Sequence, residues 1–213
     1  MKSVNALHTK APYRLAVGQV TSLSSPACVS RWLSAELIAS APQGIRRPVW
    51  LAGRVLLAQL LDNGMLPLLR SGSHGKPWHP ELPAFNITNS AHAVAVLVGC
   101  HPVGCDMELL RPRKRWQAVA QHSFAAPLYE QLLELPEEEQ LAEFWRFWTA
   151  HEAVVKQRGG TVWQLPELNL PLASLCPPGL HLMHIVCGEM LIACCGHQVF
   201  APNFAPGQVV GRV

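Results

Sequence analysis

Residues 49–61, Val49-Trp50-Leu51-Ala52-Gly53-Arg54-Val55-Leu56-Leu57-Ala58-Gln59-Leu60-Leu61, carry apolar side chains around most of a helical circumference. Leu and Ala dominate the run, which predicts a helix buried on most sides. Residues 93–98 and 103–108 are apolar, β-branched and strand-sized, with Gly99-Cys100-His101-Pro102 between them. That pattern predicts two strands joined as a hairpin or a tight sheet corner. From 137 to 158, apolar or aromatic residues fall at 141, 144, 145, 148 and 155, close to the helical period. Pro136 and three glutamates stand at its start and Gly159-Gly160 at its end, the start and stop signals of a helix. Residues 180–187 and 190–195, split by Gly188-Glu189, predict a second hairpin. The stretches Ala41-Pro42-Gln43-Gly44, Ser71-Gly72-Ser73-His74-Gly75-Lys76-Pro77 and Cys176-Pro177-Pro178-Gly179 read as loops. Helices mixed with strands in hairpins predict an α+β fold.

The chain has 213 residues, 49% hydrophobic and 15% charged. A typical soluble domain is about 25% charged, so disorder is excluded and a folded core is expected. A net charge of +3 is too small for a dedicated nucleic-acid binder, though it favours acidic partners. The longest apolar run, residues 93–100, is far short of a membrane span. The N-terminal Met1-Lys2-Ser3-Val4-Asn5-Ala6-Leu7-His8 is polar, so no signal peptide and a cytoplasmic location are expected. Seven cysteines without a Cys-x-x-Cys point to reduced, mostly buried thiols.

Three constellations carry candidate chemistry. In Val103-Gly104-Cys105-Asp106-Met107-Glu108, strand alternation puts Asp106 and Glu108 on one face about 7 Å apart, with Val103, Cys105 and Met107 on the other. The two carboxylates are either the exposed polar face of an edge strand or a pair converging on a hard cation such as Mg²⁺ or Mn²⁺. In Trp148-Thr149-Ala150-His151-Glu152-Ala153-Val154-Val155-Lys156, Glu152 and Lys156 are four apart, the spacing of an exposed helical ion pair. Val155 stands where a zinc protease needs its second histidine, which removes that reading. The loop Gly72-Ser73-His74-Gly75-Lys76-Pro77 lacks the spacing and hydroxyl of a nucleotide P-loop. Lys76 there is a phosphate contact or part of a plain turn. Arg46-Arg47 and Arg111-Pro112-Arg113-Lys114-Arg115 are likewise solvated basic turns or contacts to phosphate or an acidic partner. No Gly-x-Ser-x-Gly elbow and no metal-ligand set among the ten histidines are present.

Taken in order, Gly75-Lys76-Pro77, Phe85-Asn86-Ile87-Thr88-Asn89-Ser90, Val103 to Glu108 and Phe147 to Lys156 resemble the motif series of the 4′-phosphopantetheinyl transferases. Arg46-Arg47, Trp50-Leu51-Ala52-Gly53-Arg54 and Lys156-Gln157-Arg158-Gly159-Gly160 add to the likeness, which covers roughly residues 42 to 165. It is strongest to the bacterial AcpT-like holo-acyl-carrier-protein synthases. The resemblance implies transfer of the phosphopantetheine arm of coenzyme A to a serine hydroxyl of an acidic apo acyl or peptidyl carrier protein. It also implies Mg²⁺ as cofactor, release of 3′,5′-ADP and a place in fatty acid biosynthesis.

Carried over by position, Asp106, Glu108 and Glu152 match metal carboxylates and Lys156 a lysine beside the reacting phosphates. Glu152 is the first choice as general base, with a water held by Glu108 as the rival. Lys76, Thr88 and Asn89 match coenzyme A contacts, with Arg46, Arg47 and Arg54 as further phosphate contacts. Asn89 stands where the family usually has histidine, and it can donate a hydrogen bond but carry no charge. The basic turn from Arg111 to Arg115 is placed to meet the carrier protein. The implied fold is a pseudo-dimer of two similar α/β halves in one chain, residues 1–101 and 102–213, acting as a monomer. The competing readings are a non-catalytic carrier-protein or coenzyme A binding module of the same fold and a Mg²⁺-dependent phosphodiesterase.

Overall fold

The structure is a computed structural model that describes residues 12–207 apart from 63, 73, 169 and 171–173. The polar stretch Met1–His8 lies outside the described residues. The chain opens with strand β1 (Tyr13–Gln19) and three short helices, α1 (Val20–Leu23), α2 (Pro26–Trp32) and α3 (Ala35–Ala39). The long helix α4 (Arg47–Leu61) and the small ribbon of β2 (Arg70–Ser71) and β3 (Pro77–Trp78) follow. Next come β4 (Ala84–Ser90), β5 (Ala93–Gly99) and β6 (Gly104–Leu109), then α5 (Trp116–Ser123), α6 (Ala126–Glu134) and α7 (Glu137–Gln157). The hairpin of β7 (His181–Cys187) and β8 (Met190–Gly196) completes the regular elements.

Two three-stranded antiparallel sheets result, with orders β1-β5-β4 and β6-β8-β7. In each, the second strand of a hairpin is central and pairs with a strand that enters earlier. The expected α+β class is therefore observed, as are the helices at 49–61 and 137–158 and the hairpin at 180–195. Of the two joins expected between 93–98 and 103–108, the sheet corner is observed and the hairpin is not. Strand β5 pairs with β1 and β4, whereas β6 pairs with β8, so residues 100–103 carry the chain round a corner from one sheet to the other.

Burial explains the pattern. Every residue of β5 and of β8 is buried, because each central strand is covered on both faces and so reads as an unbroken apolar run. Helix α4 packs on the outer face of the first sheet, against Val94, Val96 and Val98. The inner face of that sheet, Tyr13, Leu15, Ala95 and Leu97, meets Cys105, Met107, Ile192 and Cys194 of the second. Helix α7 covers the outer face of the second sheet through Val154, Val155, Ala193 and Cys195. The layers are thus helix, sheet, sheet, helix.

One glycine on each side permits close approach. A methyl on Gly53 of α4 would stand 2.6 Å from Cγ2 of Ile87 on β4, and one on Gly104 of β6 would strike the backbone of α7 at Ala153 and Gln157. Helix α7 begins with Glu137, Glu138 and Glu139 in its first turn and is followed, just past its C-cap Arg158, by Gly159, which takes φ +72°. That combination favours the helix dipole and supplies a left-handed stop. Beyond β8 the chain returns to β1. The Gln198 N–H donates to the Tyr13 hydroxyl at 2.6 Å and the Gly207 N–H to the Leu15 carbonyl at 2.8 Å.

Candidate active site

The two sheets meet edge to edge where β4 lies beside β6. Alternation along β4 sends Phe85 and Ile87 toward α4 and sends Asn86, Thr88 and Ser90 toward β6. The Cys105 N–H donates to Asn86 Oδ1 at 2.7 Å, Thr88 Oγ1 donates to Asp106 Oδ1 at 3.2 Å, and Ser90 Oγ donates to Glu108 Oε2 at 2.8 Å. These three polar rungs fasten the first sheet to the acidic strand. Asp106 is only 4% exposed, so the edge-strand reading of a solvated acidic face does not hold.

Helix α7 delivers the other half of the site. Lys156 Nζ donates to Asp106 Oδ1 at 2.6 Å and stands 3.5 Å from Glu152 Oε2. The expected one-turn pair on the helix surface is thus a half-buried cation shared with a residue fifty positions away. Burial pulls the Lys156 pKa down, but Asp106 and Glu152 outweigh it and hold the value above that of an ordinary lysine. Glu108 and Glu152 are shifted the other way for acids: burial first, with the charge of Asp106 adding, raises both above the usual carboxylate range. Ser90 partly offsets this at Glu108 and Lys156 at Glu152.

A cavity of about 380 Å³ opens on this cluster, walled by Asp106, Glu108, Trp148, Glu152 and Lys156, with Thr88 and Asn89 on the β4 side. Ile87, Glu152 and Lys156 also line a second cavity of about 350 Å³, which in turn shares His74, Lys76, Pro77 and Gly159 with a third of about 550 Å³. Sharing these walls, the three cavities adjoin as one trough. Among the described residues no three His, Cys, Asp or Glu side chains are grouped as a ready-made metal cage. Asp106 Oδ2 is nevertheless buried with no hydrogen-bond partner, an uncompensated acceptor beside the cavity.

A model of the 4′-phosphopantetheinyl transferase superfamily matches residues 102–179, the stretch that carries this acidic strand and helix. The 4′-phosphopantetheinyl transferase AcpT of Salmonella typhimurium is 41% identical over 165 residues, covering 76% of this chain and 82% of the relative. The chain belongs to the 4′-phosphopantetheinyl transferase superfamily. AcpT of Escherichia coli is 37% identical over 186 residues, 86% of this chain and 90% of its own. The more distant transferase Sfp of Bacillus subtilis is 33% identical over 103 residues, 47% of this chain and 42% of its own. The protein is accordingly a 4′-phosphopantetheinyl transferase, and among the described residues no helix is long and apolar enough to cross a membrane.

Within this transferase the residues singled out from the sequence separate into groups. Asp106, Glu108, Glu152, Lys156, Thr88 and Asn89 line one cavity, but Thr88 and Asn89 are not equivalent. Thr88 is buried and spent on Asp106, whereas Asn89 is exposed at the rim. Lys76 is not a free loop cation: its Nζ donates to the Val103 and Lys156 carbonyls at 2.7 and 2.6 Å, and burial lowers its pKa to about 8.

Arg46, Arg47, Arg54 and the basic turn from Arg111 to Arg115 line none of these three cavities. Arg47 donates to the Ala41 and Ile38 carbonyls, and Arg46 is exposed at the start of α4. Arg54 stacks 3.6 Å above the Trp50 ring and donates to the Trp50 carbonyl, while its buried Nε has no partner. Burial lowers the Arg54 pKa to about 10. In the basic turn Arg111, Lys114 and Arg115 are exposed, but Arg113 is half-buried on α7. Asn86 and Ser90 are structural members of the site that their residue types alone did not mark. The alternation of 86, 88 and 90 along one strand was the signal available.

Proposed function

We propose that this transferase moves the 4′-phosphopantetheine arm of coenzyme A to a serine hydroxyl of an apo acyl or peptidyl carrier protein, releasing 3′,5′-ADP, with Mg²⁺ as cofactor. The observation that carries the reading is the meeting of Asp106, Glu108, Glu152 and Lys156 on one cavity at the seam of the two sheets. Three carboxylates and one ammonium leave about two negative charges, which a divalent cation balances. The residues fit such an ion: Asp106 Oδ2 is buried without a partner, the donors are hard oxygens, and Mg²⁺ needs only one or two carboxylates when substrate phosphates complete its shell. Asp106 and Glu108, with Glu152 nearby, would hold it. A divalent cation bound there supplies neutralising charge for the diphosphate.

The remaining chemistry belongs to the side chains. Coenzyme A lies along the trough, with its diphosphate at Lys156. Glu152, whose burial makes it a stronger base than a solvated carboxylate, accepts the serine proton as the serine oxygen bonds to phosphorus. The bond from that phosphorus to 3′,5′-ADP breaks, and Lys156 stabilises charge gathering on the departing oxygen. Asn89 at the rim is a neutral contact for the nucleotide end, whereas Arg54 lines none of the three cavities and stacks on Trp50. The exposed Arg111, Lys114 and Arg115 face the acidic carrier protein.

We further infer a monomeric pseudo-dimer of halves 1–101 and 102–213. The shared strand order of the two sheets supports it. The test is to incubate the protein with coenzyme A, Mg²⁺ and a panel of apo carrier proteins and to weigh each carrier. A mass gain of one phosphopantetheine arm on at least one carrier is expected. Consumption of coenzyme A without any modified carrier would favour a phosphodiesterase, and binding without turnover a non-catalytic module.

A further inference from the structure

The basic run after β6 looks uniform in sequence, but its members do different things in the structure. Arg113 lies over three aromatic rings of α7, with its guanidinium carbon 5.8 Å from the Phe144 centroid, 5.4 Å from Trp145 and 5.5 Å from Trp148. A cation over one such ring is attracted by its π face, and three rings at once form a cage. The same segment is tied down at two other points. The Trp145 indole N–H donates to the Arg111 carbonyl at 3.2 Å, and the Leu110 N–H donates to the Glu189 carbonyl at 2.9 Å. Phe144 and Trp145 are buried in the cluster that α7 shares with α5 and α6, so the cage is a rigid seat.

Both ends of this arrangement touch the acidic cavity. Glu108 lies two residues before Leu110 on the strand that runs into the pinned segment. Trp148, one face of which is under Arg113, lines the cavity itself. The Arg113 charge also reaches Glu108, where it favours the ionised form. By contrast Arg111, Lys114 and Arg115 are exposed, with the geometry of steering charges.

We propose that Arg113 is a positioning residue of the transfer site: seated in the cage of Phe144, Trp145 and Trp148, it fastens the segment after β6 to α7 and so holds Glu108 and Trp148 in place. This rests on the transfer reading above and divides the basic turn into one internal anchor and three external docking cations. Rim charges change association and its salt dependence, whereas displacement of a group beside reacting atoms lowers the rate of the chemical step.

The test compares Arg113→Met, Arg113→Lys and the pair Lys114→Glu/Arg115→Glu in the full chain. Transfer to a purified apo acyl carrier protein is measured at low and high salt, and amide hydrogen exchange over residues 110–115 is measured without substrates. Arg113→Met is expected to lower kcat by ~10-fold or more with carrier KM and its salt dependence near the parent values. Exchange of the Leu110 amide should accelerate. Arg113→Lys, which keeps a cation in the cage, should restore most of both. The charge-reversed pair should raise carrier KM, mainly at low salt, without faster exchange at Leu110. Arg113→Met behaving like the charge-reversed pair, or showing unchanged kcat and exchange, would overturn the proposal. An inactive parent protein would instead count against the transfer reading, and the exchange comparison would still decide whether Arg113 anchors the segment.

Discussion

Replacing Gly104 by alanine places a methyl group where β6 and α7 touch. That methyl overlaps the Ala153 carbonyl oxygen and the Gln157 amide nitrogen and stands 2.9 Å from the Gln157 Cα. All three are backbone atoms of one helix, so no rotamer change relieves the clash. Ordinary contact needs about 3.5 Å, which requires the helix to retreat by about 1.5 Å. The Lys156–Asp106 pair at 2.6 Å spans the same gap and would stretch to about 4 Å, outside hydrogen-bond range. Overpacking of this kind costs about 1–3 kcal/mol, and weakening a hydrogen bond between charged partners adds about 1–3 kcal/mol. The sum, about 2–6 kcal/mol, is a large share of a typical domain's stability. Urea unfolding followed by tryptophan fluorescence reads it as a lower midpoint at unchanged slope. Transfer measured in the folded baseline should fall by ~10-fold or more. Gly53→Ala is the control: its methyl meets the Ile87 side chain, which can move, so a smaller loss is expected. Gly104→Ala with the parent midpoint and rate, or Gly53→Ala as the more damaging change, would refute the reasoning.

Lys76→Met leaves the Val103 and Lys156 carbonyls without their donor and should cost about 1–3 kcal/mol in urea unfolding. Burial first holds both His151 and His184 near pKa 4, below the ordinary 6.5, so in that range the unfolded chain binds protons that the folded one refuses. Their contribution to stability is complete above about pH 6.5 and falls as the pH drops toward 4, by up to about 1.4 kcal/mol per pH unit for each histidine. In urea titrations between pH 7 and 5, His184→Gln should flatten this slope. Asn89→His should tighten coenzyme A binding below neutral pH, where imidazole is charged, and leave dephospho-coenzyme A unaffected; isothermal titration of both ligands checks it.

The sequence marked the chemistry better than the connections. The spacing of Asp106 and Glu108, and of Glu152 and Lys156, placed each pair on one face of its own element, and both faces do line the cavity. That Lys156 reaches Asp106 depends on β6 approaching α7 at Gly104, a contact between elements that periodicity within either one does not encode. Strand β5 was legible as a strand but not in its partner. Its run is apolar on both faces, so nothing in it distinguishes pairing with β6 from pairing with β4 and β1. Strand β4 reads as polar because Asn86, Thr88 and Ser90 face β6, where hydrogen bonds satisfy them at the seam. Arg113 and its neighbours share a charge in the sequence. Only the aromatic surface of α7, formed by Phe144, Trp145 and Trp148, separates the anchored residue from the exposed ones.

The most direct test of the account is a single-turnover reaction with coenzyme A, Mg²⁺ and apo carrier protein, run with the parent protein and with Asp106→Asn. Intact mass follows the carrier, and chromatography follows 3′,5′-ADP. The parent should yield one 3′,5′-ADP for every phosphopantetheine arm gained by the carrier. Asp106→Asn should yield neither at a comparable rate, because the substitution removes the charge that pairs with Lys156 and fits the cation. Equal rates for the two proteins, or 3′,5′-ADP formed without a gain in carrier mass, would contradict the assignment of transfer to this site.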